Sequence, residues 1–443
     1  MKVLVTGDWH INQSLGSEDR SAEALERVEE VVDIAIEEEV DLVLHTGDVW
    51  HRRTSQQKGS RLSEALFQRL DPLARLATPL VFLEGNHDPP EWIRMLRQFF
   101  YNASSYAPDG IPVHVVNRTA LVSIPGLQVL GLPYPSKEIA AKQAGHAFEG
   151  DADSIAARNR AVSSQIGQEI QAIVQNAGFR KDVPTILAAH MTVEGALYPS
   201  MGDQKSGNEG YAFDWASDFV LQANSVSNQF VYGAFGHIHK PQRIETLPFP
   251  AGYPGALLRM STAEADHMMG VDLVTIDGAD VEVRHRPLTQ TPMVTATITK
   301  DEFEEFSVPD PENTIVKLTI RHDGSLVTGN FYKRIKERFP RALDPSFDGP
   351  PPAIISLNER LSSAEKSETG EMEMDPSDYR GTTLDYVKER FGDREDFDAF
   401  RELAEVLVKQ AEATFFDEDL EEPIGGPKHE ENNLSHAEEG VPQ

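Results

Sequence analysis

Cysteine is absent from all 443 residues of this chain. That excludes a disulfide framework and any thiolate-held metal, and it fits a reducing compartment. Long hydrophobic runs are missing too: nowhere do apolar residues approach the ~20 in succession that a membrane helix needs. The sequence opens on Val3-Leu4-Val5 without the charged, apolar and small-residue succession of an export signal. A soluble, cytoplasmic protein with no membrane contact is therefore expected. Positive charge is also scarce. Lys and Arg number 41 against 72 Asp and Glu, a formal balance of −31, whereas a nucleic-acid binder normally presents a basic face. Residues 359–443 hold 25 acidic and 9 basic groups, about half of that deficit. What is not scarce is core material: 40 % of residues are hydrophobic, enough for two or three domains at roughly 150 residues each.

Against that background five short motifs stand out. They are Asp8-Trp9-His10, Gly47-Asp48, Gly85-Asn86-His87-Asp88, a lone His190, and Gly236-His237-Ile238-His239. Each follows an apolar run: Val3-Leu4-Val5, Leu42-Val43-Leu44, Leu80-Val81-Phe82-Leu83, Ile186-Leu187-Ala188-Ala189 and Phe230-Val231-Tyr232 in turn. Runs of this length rich in Val, Ile and Leu read as buried strands. Their exit loops are where α/β proteins keep their chemistry. Three Asp/Asn oxygens and four His nitrogens suit a borderline-hard divalent metal. Two-metal phosphoester hydrolysis needs a carboxylate shared between ions roughly 3.5–4 Å apart. Asp48 is the natural bridge, since the glycine before it permits close backbone approach. Asp8, His10 and His239 complete one ion's shell, and Asn86, His190 and His237 the other's. His87 is left without a metal, suited to protonating a leaving oxygen or stabilising phosphoryl charge, with Asp88 orienting its ring.

Each motif alone is weak. Asp-x-His and Gly-Asn-His are common without function, and a lone histidine at a strand end is most often a satisfied core residue. The weight lies in all five occurring in this order, each at a strand end. His45 belongs inside a buried strand, while His114, His146, His267, His285, His322, His429 and His436 have no motif around them. Arg52, Arg53, Lys58, Arg94, Arg97, Lys240 and Arg243 follow the motifs closely. They are candidate phosphate contacts, although exposed cations on loops are usually just solvated.

The five motifs resemble those of the calcineurin-like metallophosphoesterase superfamily. Flanking residues are similar, more narrowly, to SbcD-type nuclease subunits. The stretches that carry this are Thr6-Gly7-Asp8-Trp9-His10, Gly47-Asp48-Val49-Trp50-His51 with Arg53-Thr54-Ser55, and Ala188 through Ala196. Gly236 through Gln242, Tyr253-Pro254-Gly255 and Glu264 complete them. The resemblance spans residues 1–290 strongly and the next hundred loosely. It implies a pair of Mn²⁺ ions (Mg²⁺ or another divalent metal being possible) on the seven ligands above, with His87 acting on the phosphate. His51 then stands where a polar residue helps hold nucleic-acid phosphate, or is simply an exposed loop residue. The implied activity is DNA cleavage, as a double-strand exonuclease and a single-strand or hairpin endonuclease serving DNA repair, replication and recombination. The implied partners are DNA, an SbcC-type SMC-like ATPase and a second copy of the chain, in a heterotetramer. Departures at Gly255-Ala256 and Met269-Gly270 touch no ligand. The alternative is a metallophosphoesterase acting on small phosphoesters or phosphoproteins.

The expected fold class is α/β: a two-sheet metallophosphoesterase sandwich with flanking helices over residues 1–290. Helices are expected over Ser21–Glu38, Gln56–Leu70 (stopped by Asp71-Pro72), Glu91–Tyr101 and Ser154–Gln175, and residues 200–215 read as a loop at the site's rim. Beyond Pro287–Pro292, residues 293–358 read as a small α/β capping domain, with strands at Met293–Ile298, Thr314–Ile320 and Ala353–Asn358 around a helix Gly329–Phe339. Residues 359–382 are an expected linker, and 383–416 amphipathic helices that need a docking surface, on the ATPase by resemblance. Residues 417–443 are an expected disordered acidic tail.

Overall fold

The computed structural model describes residues 1–16, 18–51, 56–89, 92, 94–96, 98, 113–135, 152–198, 219–321 and 329–348. The chain divides into two units, Met1–Arg321 with Arg338–Asp348, and His322–Glu337 with Gly349–Gln443. The expected rim loop 200–215, the strand at Ala353–Asn358, the linker, the partner-binding helices and the acidic tail lie outside the described residues. So does most of the helix expected at Glu91–Tyr101.

The first unit is built on two six-stranded sheets. The first runs in the order Asp280–Pro287, Gly270–Asp277, Lys2–Thr6, Leu42–His45, Leu80–Leu83, Val113–Val116. Its last four strands are parallel, and the first two add on antiparallel. The second runs Gln242–Arg243, Ala251–Tyr253, Tyr232–Gly236, Thr185–His190, Leu127–Leu132, Ala120–Ile124. Parallel strands buried on both faces read as unbroken apolar runs, which is why Leu42–His45 and Leu80–Leu83 are buried at every residue.

Side-chain alternation sorts the core into three layers. Val3, Val5, Leu42, Leu44, Val81 and Leu83 from the first sheet meet Val129, Ile186, Ala188, Tyr232 and Ala234 from the second. Leu4, Val43, Leu80 and Phe82 point the other way, under Ala24, Val28, Val31, Val32, Ala35, Leu66, Leu70 and Leu73 of the helices Ser21–Glu37 and Gln56–Arg75. Leu130, Leu187 and Phe235 face Val162, Ile166, Ile170 and Val174 of the helix Ala152–Val174. The result is a helix–sheet–sheet–helix sandwich of the kind expected.

Two local expectations need correcting. The helix beginning at Gln56 does not stop at Asp71-Pro72 but continues to Arg75 with Pro72 inside it. An interior proline costs about 3 kcal/mol. Leu73 and Ala74, immediately beyond it, are almost wholly buried, and burying one leucine contributes about 1.5–3 kcal/mol, so packing holds the last turn. The strand feeding the last motif is Tyr232–Gly236 rather than Phe230–Tyr232. Gly233 and Gly236 hide it from an apolar-run search, and both are needed: a Cβ at Gly236 would fall 2.6 Å from the Thr46 carbonyl oxygen.

A smaller parallel sheet joins Met293–Thr299, Ile315–Arg321 and Ser346–Asp348. Its third strand is thus Ser346–Asp348. The helix Gly329–Arg338 falls almost wholly in the second unit.

One polar cluster pins the two large sheets together. Asp272, fully buried, accepts hydrogen bonds from Arg243 Nη1 at 2.5 Å and Nη2 at 3.2 Å, from Tyr232 Oη at 3.3 Å, and pairs with His285 Nδ1 at 3.0 Å. Burial opposes its charge, but His285 and Arg243 outweigh that and hold its carboxyl below the ordinary 3.8. Both terminal nitrogens of Arg243, a candidate phosphate contact by its position, are thus engaged by an internal carboxylate. Removing the carboxylate strands a guanidinium, so Asp272→Ala should lower stability by about 3 kcal/mol, the low end for a buried pair because Arg243 is partly exposed. Because the folded carboxyl is depressed, its contribution is complete above the ordinary 3.8 and lost as pH falls below it. Urea unfolding of wild type and Asp272→Asn should therefore converge in acid, and a gap that stayed constant from pH 7 to pH 3 would contradict this.

Candidate metal centre

All five motifs sit at the C-terminal ends of parallel strands. Lys2–Thr6, Leu42–His45 and Leu80–Leu83 are neighbours in one sheet, Thr185–His190 and Tyr232–Gly236 in the other. Their loops run side by side as well: Asp8 N–H donates to Gly47 O, His10 N–H to Asp48 O and Ile11 N–H to Val49 O, at 2.9, 3.1 and 3.0 Å. Among the described residues six non-glycines have positive φ, and four of them are Asp8, His10, Asp48 and His237. Such backbone costs on the order of 1–3 kcal/mol each and clusters at functional sites. Gly47, at φ 110°, is the glycine that the close approach demands, since a Cβ there would run into the His190 ring.

The seven expected ligands converge on one place. The ligand atoms of Asp8, His10 and His239 lie within 4.8 Å of one another, as do those of Asp8, Asp48 and His190. Asp48 Oδ2 is 3.7 Å from His10 Nε2 on one side and 3.2 Å from His190 Nε2 on the other. Asp8 belongs to both triads, so two carboxylates stand between the ligand sets. Asn86 Oδ1 lies 3.0 Å from His190 Nε2 and 3.1 Å from His237 Nδ1. His10 Nε2 and His239 Nε2 face each other at 3.1 Å.

Neighbouring groups aim these ligands. His190 Nδ1–H donates to Thr46 O at 2.7 Å, which leaves Nε2 for the centre; this is how a metal-ligating imidazole is normally oriented. His237 N–H donates to Asp8 at 3.0 and 3.1 Å, and His87 N–H to Asp48 Oδ1 at 2.8 Å. Contrary to what its position in the motif suggests, Asp88 does not orient the His87 ring. Its two oxygens accept backbone N–H groups of Asp48, Gly85 and Trp50, each at 3.0 Å, tying two motif loops together. His87 Nδ1–H instead donates to His51 O at 2.5 Å, and the two rings stack 5.1 Å apart.

The electrostatics call for a cation. Burial, with a further push from Asp48, raises Asp8 to about 7. Burial works against the Asp48 charge too, but His190, His10 and His87 hold that carboxyl below its ordinary range. Burial likewise opposes a charged His190, yet Asp48 and Asp8 lift it to about 9. His10 and His239 are driven down by burial, His239 to about 3. Imidazoles around two adjacent buried carboxylates, with no thiol, form a donor set suited to divalent ions, which would take the place of the proton that the carboxylates hold on His190. The residues fit the metal that the motifs imply.

Several contributors carry no signal in spacing or composition. Tyr134 lays its ring 5.4 Å from His237. Tyr253 Oη accepts from Val193 N and donates to Met191 O, both at 2.9 Å. Gln242 brackets Leu197, accepting from its N–H at 2.7 Å and donating to its carbonyl at 2.8 Å. Tyr253 and Gln242, singled out only by resemblance, hold the loop that follows His190. Lys58 pairs with Asp19 at 2.7 Å. Arg52, Arg53 and Arg97 lie outside the described residues.

A calcineurin-like phosphoesterase family model matches residues 1–241. The chain is 27 % identical over 301 residues to the SbcD component of the SbcCD nuclease of Rhodobacter capsulatus, covering 65 % of this chain and 69 % of that protein. It is 26 % identical over 279 residues to the corresponding Bacillus subtilis protein, covering 62 % and 66 %. Looser likenesses are a solved Thermus thermophilus structure (13 % identity, 64 % and 98 % coverage, TM-score 0.33) and a dimetal phosphatase from Danio rerio (10 %, 62 % and 92 %, TM-score 0.38). No helix among the described residues is long and apolar enough to cross a membrane.

Metal binding should be measurable as stability. Mn²⁺ at a hundredfold excess over its dissociation constant should raise the unfolding free energy by about 2.7 kcal/mol for each ion bound. In Asp48→Asn and His190→Ala that increment should shrink or vanish, whereas an equal increment in all three proteins would place the binding elsewhere.

Proposed function

We propose that this chain, a member of the calcineurin-like phosphoesterase family, is a manganese-dependent DNA nuclease. It would hydrolyse phosphodiester bonds by a two-metal mechanism as the nuclease subunit of an SbcC–SbcD-type complex. The observation that carries the reading is the placement of Asp48 Oδ2 between His10 Nε2 and His190 Nε2, with His87 anchored beside it. The similarity to the SbcD components of two SbcCD nucleases favours DNA over other phosphodiesters.

The geometry supports the following division of labour. Asp8, His10, Asp48 and His239 would hold one ion, and Asp48, Asn86, His190 and His237 the other. Bound divalent ions supply Lewis-acid stabilisation of charge on the phosphoryl group. The protein's own groups supply position and protons. The Thr46 carbonyl keeps the His190 proton on Nδ1. The His51 carbonyl does the same for His87, so that from the imidazolium form Nε2 would hand its proton to the leaving oxygen and Nδ1 would keep its own. His51 itself stands beside both His10 and His87, where it would steady the scissile phosphate.

Activity on double-strand ends and on single-strand or hairpin DNA, in cytoplasmic repair, replication and recombination, belongs to the same proposal. So does assembly of two copies with an SMC-like ATPase that binds residues 383–416 and supplies basic surface. The chain's own balance of −31 is the one observation that favours the second reading, hydrolysis of small phosphoesters or phosphoproteins.

The deciding assay is degradation of a blunt, end-labelled duplex in Mn²⁺, with and without the co-expressed ATPase. Wild type should degrade it, and His87→Ala should be slower by about 10²–10⁴-fold, the usual worth of a positioned general acid. Turnover of a small ester with DNA left intact, partner present, would contradict the nuclease and leave the family assignment standing.

A further inference from the structure

The loop carrying His51 continues the paired course of the first two motif loops, but there the backbone pairing stops. Asp8, His10 and Ile11 each donate a main-chain N–H to the opposite loop. At the next position the contact passes to a side chain: Asn12, 2 % exposed, accepts the His51 N–H on Oδ1 at 2.8 Å. His51 then makes two contacts inward. Its carbonyl takes the His87 Nδ1 proton at 2.5 Å, and its Nδ1 lies 3.2 Å from His10 Nδ1, on the side of that ring away from His239. Residues 52–55 follow immediately and lie outside the described residues. Asn12 thus holds the His51 N–H at the last described residue of this loop.

We infer that Asn12 is a positioning residue: its amide oxygen fixes the backbone of His51, whose carbonyl holds the Nδ1 proton and sets the direction of the His87 proton donor. The inference rests on the reading of His87 as the acid for the leaving oxygen. An amide carbonyl suits the task. It accepts one N–H without bringing a charge into a pocket where two buried carboxylates already lie close together. Asn12 Oδ1 is taken up by the His51 N–H and the His51 carbonyl by the His87 Nδ1–H, so loss of the anchor acts first on the His87 proton.

Leaving-group chemistry separates this from a general structural role. A phenyl ester of thymidine 5′-monophosphate must have its departing oxygen protonated, whereas the p-nitrophenyl ester departs as a stable anion. With saturating Mn²⁺, Asn12→Ala should lose about 10- to 100-fold in kcat on the phenyl ester, the range expected when a catalytic group is misplaced. On the p-nitrophenyl ester the loss should stay below about threefold, since proton donation there matters little. The ratio of the two rates within one preparation is independent of how much protein is folded. Asn12→Ser keeps a neutral acceptor oxygen beside the His51 N–H and should bring the ratio back toward the wild-type value. Equal losses on both esters, or a wild-type ratio in Asn12→Ala, would overturn the inference while leaving the nuclease reading intact. Wild-type protein inert toward both esters and toward duplex DNA would overturn that reading, and this inference with it.

Discussion

Two carboxylates, Asp8 and Asp48, are held side by side and almost wholly buried, in a site whose Asn86 and His87 are exposed. The arrangement is costly in isolation: each charge is desolvated, and Asp48 raises the proton affinity of Asp8. It is tolerable only because imidazoles surround the pair and because the donor set can take up divalent cations. Much of the local architecture serves to keep that pair in place. Loops from five strand ends are knitted to one another, Asp88 ties the second motif to the third, and four ligands occupy left-handed backbone. Stability has been given up at this edge of the sandwich and is supplied by the three apolar layers elsewhere.

The fold explains why two sheets are needed. Three adjacent parallel strands of one sheet deliver Asp8, His10, Asp48 and Asn86, and two adjacent strands of the other deliver His190, His237 and His239. A single sheet would spread these loops along a line, whereas facing edges wrap them around a centre. The sheets must then be fixed relative to one another, and the apolar layer between them is non-directional. Asp272 supplies direction, since its four hydrogen bonds reach groups in both sheets.

How much of this is legible in the sequence depends on the kind of signal. Strands buried on both faces announce themselves as apolar runs, so Lys2–Thr6, Leu42–His45 and Leu80–Leu83 are visible, and their ligands with them. Tyr232–Gly236 escapes because close packing there demands glycine and alanine, which carry no hydrophobic signature. The helix through Pro72 reads too short because a local rule points to a stop where burial of Leu73 and Ala74 decides. Nearness to the motifs points Asp88 and Arg243 toward chemistry. Their hydrogen bonds are long-range, to Trp50 and Asp272, and no spacing rule reaches that far. Resemblance alone flags Tyr253 and Gln242, and only the structure reveals the loop they hold.

The most direct test of the account is the magnetic state of bound manganese. If Asp48 lies between two ions, wild-type protein should bind two Mn²⁺ per chain and give the electron paramagnetic resonance spectrum of an exchange-coupled pair. Asp48→Asn should lose that coupling. A wild-type spectrum of isolated Mn²⁺ at every occupancy would contradict the two-metal centre and with it the mechanism proposed for this chain.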